Sequence, residues 1–426
     1  MSSATDRLRP VAIAGPSPPT KNDLPLVNSP RRALLGNAVL RIAARLASSA
    51  MLGVFLLLLA RHMTVADFGQ YILAYTLGMA VGLIVGVGAP VQAMRVSAAG
   101  GEIAAARLYV FHTIVVVTVF VLVAVALAIS SAPAMLFAGG VFALSDTLQN
   151  YAQAHLAGVQ AHTSASSLVF AQRAIPLMGC TVSAAAGQSL NAATLIAMFA
   201  LTATIAVVAP AVVARRAAVY QALRRFRGRP PTKSARYWAL SVSGVLSQLQ
   251  VATFALFASA LAVGYFSMAT RVTGPLTLLA AAMSTVLIPE LSTRVANLPA
   301  FRSLYRRYYL ITVAYCGTVM IAAWPLSWLI LEVVGPKYEP AQMLLVGMIV
   351  AAGLSSISQS ISARYIAVGW PKTATVAIVA GGATTLALLA LIGWSGHTDA
   401  VWVVPILGQT VVLVFMLFGR KGGHRR

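Results

Sequence analysis

Ionisable side chains are scarce in this sequence, and four of them stand where a charge is most costly. Arg45, Asp146, Arg173 and Arg271 fall inside apolar runs long enough to cross a bilayer. A guanidinium at the centre of a membrane helix costs about 2.5 to 3.5 kcal/mol on insertion scales, so an arginine there faces water, a counter-charge or an anion. Counted inward at ~1.5 Å per residue, each of the four lies roughly 15 to 20 Å from one membrane surface, so four helices place charge at one level. Two plainer readings stand beside an anion site: Arg41, one turn before Arg45, can snorkel to the surface, and Asp146 can neutralise one arginine as a buried pair. Where arginines outnumber carboxylates the surplus calls for an anion, and guanidinium forks match phosphate or diphosphate oxygens. Arg271, Arg45, Arg41 and Arg173 are the candidate ligands.

Polar stripes accompany these charges. Asn37, Arg41, Arg45 and Ser48 recur every three or four residues and so share one helical face. Asp146, Asn150 and Gln153 form a second stripe with Gln149 beside it, Ser243, Ser247 and Gln250 a third, and Ser355, Gln359 and Ser362 a fourth. The stripes are expected to line one wet interior, with Asp146 the mid-membrane carboxylate able to couple an ion. Gly78, Gly82 and Gly86 form a small-residue face suited to close helix packing. Pro275, four residues after Arg271, should kink its helix beside the arginine. Cys180 and Cys316 lie in apolar runs without metal or disulfide spacing and read as packing residues, so neither a metal site nor a cofactor is expected.

The elements that carry these residues are membrane helices. Of 426 residues 59% are hydrophobic and 9% charged, and the mean hydropathy is +0.83, far from soluble composition. Apolar runs of about 20 residues recur along the chain, which predicts an all-α integral membrane protein. Twelve spans are expected, at about 34–59, 70–94, 107–129, 133–156, 163–186, 190–214, 237–258, 261–289, 308–330, 340–368, 373–394 and 400–419. The fourth is least apolar because Asp146, Gln149, Asn150 and Gln153 interrupt it. The net charge of +22 would suggest nucleic acid in a soluble protein; here it follows from the bias for Lys and Arg on cytoplasmic connections, so no nucleic-acid partner is expected. With both termini cytoplasmic, Arg61 and Lys337 are the only basic residues on the outer side, and Arg41, Arg45, Arg173 and Arg271 the only ones within spans. The expected layout is a proline-rich, disordered tail (1–33), a six-helix bundle (34–214), a basic cytoplasmic linker (215–236), a second six-helix bundle (237–419) and a basic tail (420–426). The first apolar run is read as an uncleaved first span. Phe68-Gly69-Gln70-Tyr71 resembles Val263-Gly264-Tyr265-Phe266, as two bundles related by pseudo-symmetry would require.

Several segments resemble one family. Ala60-Arg61-His62-Met63-Thr64-Val65-Ala66-Asp67-Phe68-Gly69-Gln70-Tyr71 is similar to the first external loop of Wzx-like oligosaccharide flippases of the multidrug/oligosaccharidyl-lipid/polysaccharide exporter superfamily. Val263-Gly264-Tyr265-Phe266 with Ala269, Arg271 and Ile288-Pro289-Glu290-Leu291-Ser292 resembles their eighth span. Gly335-Pro336-Lys337-Tyr338-Glu339-Pro340-Ala341 and Ala367-Val368-Gly369-Trp370-Pro371-Lys372 supply further matches. The resemblance implies two pseudo-symmetric six-helix bundles around a central cavity in the bacterial inner membrane. It implies a cargo, a polyprenyl-diphosphate-linked oligosaccharide, and, as partners, membrane lipid, a polymerase and other export machinery. By position it points to Arg41, Arg45 and Arg271 for the diphosphate.

Rival classes make different demands. A cation-coupled multidrug exporter of the same superfamily would line its cavity with carboxylates, whereas this chain offers mostly arginine. A membrane enzyme of polysaccharide assembly needs an acid, base or nucleophile cluster at the surface. The external connections offer scattered Asp67, Glu332, Glu339, His397 and Asp399, read as solvated loop charges, so no catalytic residue is assigned. A purely structural scaffold leaves the mid-depth arginines without a reason.

Overall fold

The computed structural model describes residues 31–86, 88–98, 101–159, 161–187, 190–213, 216–224, 244–277, 297–368 and 371–418, with isolated positions between 280 and 295. Fifteen α-helices are described: α1 (Arg31–His62), α2 (Val65–Val85), α3 (Ala89–Ala98), α4 (Glu102–Ile129), α5 (Ala134–Gly158), α6 (His162–Ala185), α7 (Ala192–Val213), α8 (Arg216–Arg224), α9 (Val245–Ala255), α10 (Ala260–Thr273), α11 (Leu298–Ile321), α12 (Ala323–Val334), α13 (Gln342–Ala367), α14 (Pro371–Ser395) and α15 (Val403–Phe418). Among the described residues seven helices are long and apolar enough to cross a membrane, and the bent pair α11–α12 is apolar and long enough when taken as one span. The chain is a multi-pass, all-helical membrane protein.

Sequence chemistry sets the helix ends. Thr64 caps α2, its hydroxyl oxygen accepting from the Asp67 N–H at 3.1 Å, and Asp67 places a negative charge in the first turn. Ser259 caps α10 and Asn297 caps α11 in the same way. Three expected spans are broken. The second is interrupted at Gly86–Gly88, where Gly88 takes φ +69 and the chain restarts as α3, a left-handed position that glycine adopts without Cβ strain. The eighth stops being α-helical at Thr273 and tightens to a 3-10 turn over Gly274–Thr277, around Pro275. The ninth turns by 62° between α11 and α12. The basic linker opens as a helix, α8, that packs on α4 and buries Ala222 there. Residues 1–30, 225–243 and 419–426, including Ser243, lie outside the described residues.

Helices α1–α8 pack among themselves around α5, which touches α2, α3, α4, α6 and α7. Asp146 and Gln149 of its polar stripe are therefore enclosed by protein, as polar groups in a span of low apolarity require, while Gln153 is half-buried and Asn150 exposed. Helix α4 turns Val121, Leu122, Val125 and Ile129 outward, the lipid-facing side of a membrane bundle. Gly78 and Gly82 let α2 lie close on α5: a Cβ on Gly78 would meet the Ala143 methyl, and one on Gly82 the Thr147 side chain. Helices α9–α15 form a second group around α13 and α15.

The halves meet through α2 with α9 and α10, and through α1 with α10 and α12. Gly69 and Gly264, corresponding positions of the two similar tetrapeptides, face each other: a Cβ on Gly69 would lie 3.0 Å from Gly264 Cα, and one on Gly264 would collide with the Val65 carbonyl. Beside them Arg61 Nη1 donates to the Val333 carbonyl at 3.3 Å, and Lys337 Nζ donates to the carbonyls of Arg61 at 2.8 Å and Met63. Each half thus sends one cation to the C-terminal carbonyls of a helix in the other, where the helix dipole favours positive charge.

Candidate functional site

The structure gathers Asp146, Arg173 and Arg271 through a residue the sequence reading passes over, Tyr75 of α2. Asp146 is buried on α5 and receives three side chains. Arg173 of α6 approaches in a forked pair, Nη1 to Oδ1 at 2.9 Å and Nη2 to Oδ2 at 3.2 Å. Gln172 Nε2 donates to Oδ1 at 2.7 Å, and the Tyr75 hydroxyl donates to Oδ2 at 2.7 Å. Oδ2 thus accepts two hydrogen bonds, and Oδ1 accepts one and makes the ion contact with Nη1, so the charge is compensated in place. The buried-pair alternative for Asp146 is the arrangement present, and Arg173 is engaged with the carboxylate. Behind the pair, Tyr75 stacks on Phe142 at 4.2 Å and Phe142 on Phe199 at 4.4 Å, which fixes the tyrosine ring.

Arg271 belongs to the other half. Its Cζ stands 4.7 Å from the centre of the Tyr75 ring, a cation–π contact of about 0.5 to 2 kcal/mol. Its Nη2 reaches Gln248 Oε1 only at 3.5 Å, and its Nε is buried without a partner. Among the described residues no carboxylate lies within ion-pair distance of it. The guanidinium is half-buried, and its one unpartnered buried donor, Nε, lies on the Nε–Nη2 edge that grips two oxygens of a phosphate side-on. Tyr75 connects it to the neutralised Asp146–Arg173 pair, so one aromatic ring joins the polar centres of the two halves.

The other expected site residues are dispersed. Asn37, Arg41 and Arg45 lie on α1, and their side chains fall outside the described residues. Helix α1 runs beside α6, where the Ser48 hydroxyl donates to the Val169 carbonyl at 3.4 Å. Gln149 is buried and Gln153 half-buried. Asn150 is exposed and, with Thr147 and His112, borders a cavity of about 40 Å³ next to Gly82 and Gly86. His112 stacks on Tyr151 at 4.7 Å and neither ring nitrogen has a partner. Gln250 and Gln359 line a separate cavity of about 340 Å³ inside the second half.

Sequence reasoning missed Tyr75, Gln172 and Gln248. Gln172 stands next to Arg173 and was accessible as a polar neighbour. Tyr75 gave no signal, because a tyrosine in an apolar helix reads as packing until its neighbours are known. Among the described residues no cluster of three metal-ligating side chains occurs.

The sequence matches no protein-family profile and no curated protein. Solved structures share the fold. A multidrug resistance MATE family transporter of the MOP superfamily in an inward-facing conformation superposes with a TM-score of 0.63 at 15% identity, over 90% of this chain and 97% of that one. The lipid II flippase MurJ, in an inward closed conformation, gives 0.65 at 14% identity, over 90% and 87%. A MOP superfamily transporter from Pyrococcus furiosus, described by a reversed polarity of its binding pocket, gives 0.55 at 15% identity, over 92% and 95%. The chain therefore shares the fold of these transporters and of the flippase.

Proposed function

We propose that this protein is a flippase that carries a polyprenyl-diphosphate-linked oligosaccharide from the cytoplasmic to the periplasmic leaflet of the bacterial inner membrane, for cell-surface or exopolysaccharide assembly. The observation that carries the reading is Arg271, a half-buried cation between the halves with its Nε buried and unpartnered and, among the described residues, no carboxylate within ion-pair distance. A diphosphate supplies the missing charge and the oxygens, and the expected partners on α1 are Arg45, at the same level, and Arg41, one turn before it. Asp146 holds Arg173 until an anion competes for it. The prenyl chain stays in lipid while the diphosphate and sugars pass between the bundles.

In the proposed orientation, both termini cytoplasmic, the Gly69–Gly264 contact closes the outer side, and transport is a rocking of one half against the other about that seal. The membrane potential, negative inside, favours moving two negative charges outward by roughly 4.6 kcal/mol per 100 mV, from about 2.3 per charge.

The test is binding of a short prenyl diphosphate to the purified protein, followed by complementation of a strain lacking its own flippase. Arg271→Ala should weaken binding at least tenfold and abolish complementation, whereas Arg271→Lys should restore part of each. Wild-type affinity in Arg271→Ala would sink the reading. The MATE-type neighbour keeps a cation-coupled drug exporter as the second reading; expulsion of a cationic dye that depends on Asp146 and not on Arg271 would select it.

A further inference from the structure

Three glutamine amides converge inside the second half without a partner. Gln250 of α9, Gln359 of α13 and Gln409 of α15 border the cavity of about 340 Å³, and none of the three amides has a hydrogen-bond partner among the described residues. Between them stand Ser355, Ser362 and Thr385; the Thr385 hydroxyl donates to the Gly381 carbonyl at 2.9 Å and keeps its oxygen free to accept. Leu246, Val412 and Met416 supply an apolar wall. No charged side chain lines the cavity among the described residues.

This chemistry selects a ligand class. Without arginine or lysine the cavity offers phosphate no counter-charge, and without carboxylate it offers a metal cation none. Amides and hydroxyls that can each donate and accept, set beside an apolar wall, complement a ring bearing vicinal hydroxyls on one edge and C–H groups on its face. Its volume is in the range of small-molecule sites. The lining residues of α9 and α13 lie toward the ends of those helices remote from the Gly69–Gly264 seal, the side from which cargo enters in the proposed orientation. Helix α9 also carries Gln248, the residue nearest the Arg271 guanidinium, so one helix separates the anion candidate from this cavity.

We propose that the cavity bounded by Gln250, Gln359 and Gln409 is a binding site for an uncharged sugar residue, the glycan subsite of the transported substrate. The substrate identity rests on the flippase reading; the ligand chemistry rests on the cavity alone.

The experiment is saturation-transfer NMR on the full-length protein in a detergent without a sugar headgroup, with glucose, galactose, mannose and N-acetylglucosamine as probes. At least one sugar should receive saturation from the wild-type protein. Its affinity should fall about five- to tenfold in Gln359→Leu and in Gln409→Leu, the size of one lost hydrogen bond with its partner left unpaired. Gln359→Asn, which keeps an amide and the cavity's polarity, should lie between and guards against misfolding as the cause. Sodium chloride and inorganic phosphate should not displace the sugar. The assignment is overturned if no sugar in the panel is saturated, if the leucine variants bind as the wild type does, or if sodium abolishes the signal. Prenyl diphosphate binding without sugar binding would overturn this site and leave the flippase reading; sugar binding without diphosphate binding would do the reverse.

Discussion

Gly69 and Gly264 occupy corresponding positions in two similar tetrapeptides, one in each half, and their backbones touch where the halves close. The contact predicts an asymmetric pair of phenotypes. A side chain at position 264 meets the Val65 main-chain carbonyl, which has no rotamer by which to yield, so Gly264→Val should cost about 1 to 3 kcal/mol as overpacking and hold the halves apart. Gly69→Ala meets Gly264 Cα at 3.0 Å and should be milder. Thermal unfolding, with reactivity of a cysteine placed at position 65 toward a membrane-impermeant reagent, separates the two: Gly264→Val should lower the midpoint and raise the labelling rate.

Arg61 and Lys337 reach in opposite directions across the same closure. Because each caps the other half's helix, either Arg61→Gln or Lys337→Gln alone should loosen the seal, and the double variant should add little to the worse single one. A double-mutant cycle on hydrogen exchange at residues 59–66 reads this. Strict additivity would mean that the two contacts hold independently.

The Asp146–Arg173 pair sets a different expectation. Removing one partner leaves a buried uncompensated charge, so Asp146→Asn should destabilise by about 3 to 5 kcal/mol. The double change Asp146→Asn with Arg173→Gln should recover most of that loss, since no charge then remains to be desolvated. Unfolding midpoints of the two singles and the double decide it; a double as unstable as the sum of the singles would contradict a self-contained pair.

Much of this arrangement was written in the sequence, and what was missing has physical causes. The apolar runs, the close α2–α5 packing at Gly78 and Gly82, the break at Pro275 and the Asp146–arginine alternative all follow from single-helix properties that periodicity and residue size encode. The break at Gly88 and the turn between α11 and α12 were not legible, because hydropathy stays high through both and a hydropathy window cannot sense direction. Arg61 and Lys337 counted only as the two exceptions to a charge bias; their targets are main-chain carbonyls, which leave no mark in a sequence. Which of Arg173 and Arg271 would take Asp146 depended on helix neighbours, and α6 is packed against α5 while α10 is not.

Tyr75 lies between the two polar centres and does two separable jobs. Its ring carries Arg271 and its hydroxyl holds Asp146 Oδ2. Tyr75→Phe keeps the ring and removes one of three hydrogen bonds to the carboxylate, so it should cost about 1 kcal/mol of stability and leave diphosphate affinity within about twofold of wild type, since a cation–π face remains. Tyr75→Leu removes both, and Arg271 then loses the surface that orients its Nε–Nη2 edge; diphosphate affinity should fall about three- to tenfold further, for a contact of about 0.5 to 1.5 kcal/mol. If the phenylalanine and leucine variants bind alike, the ring does not position the arginine, and the anion is held by groups other than this edge.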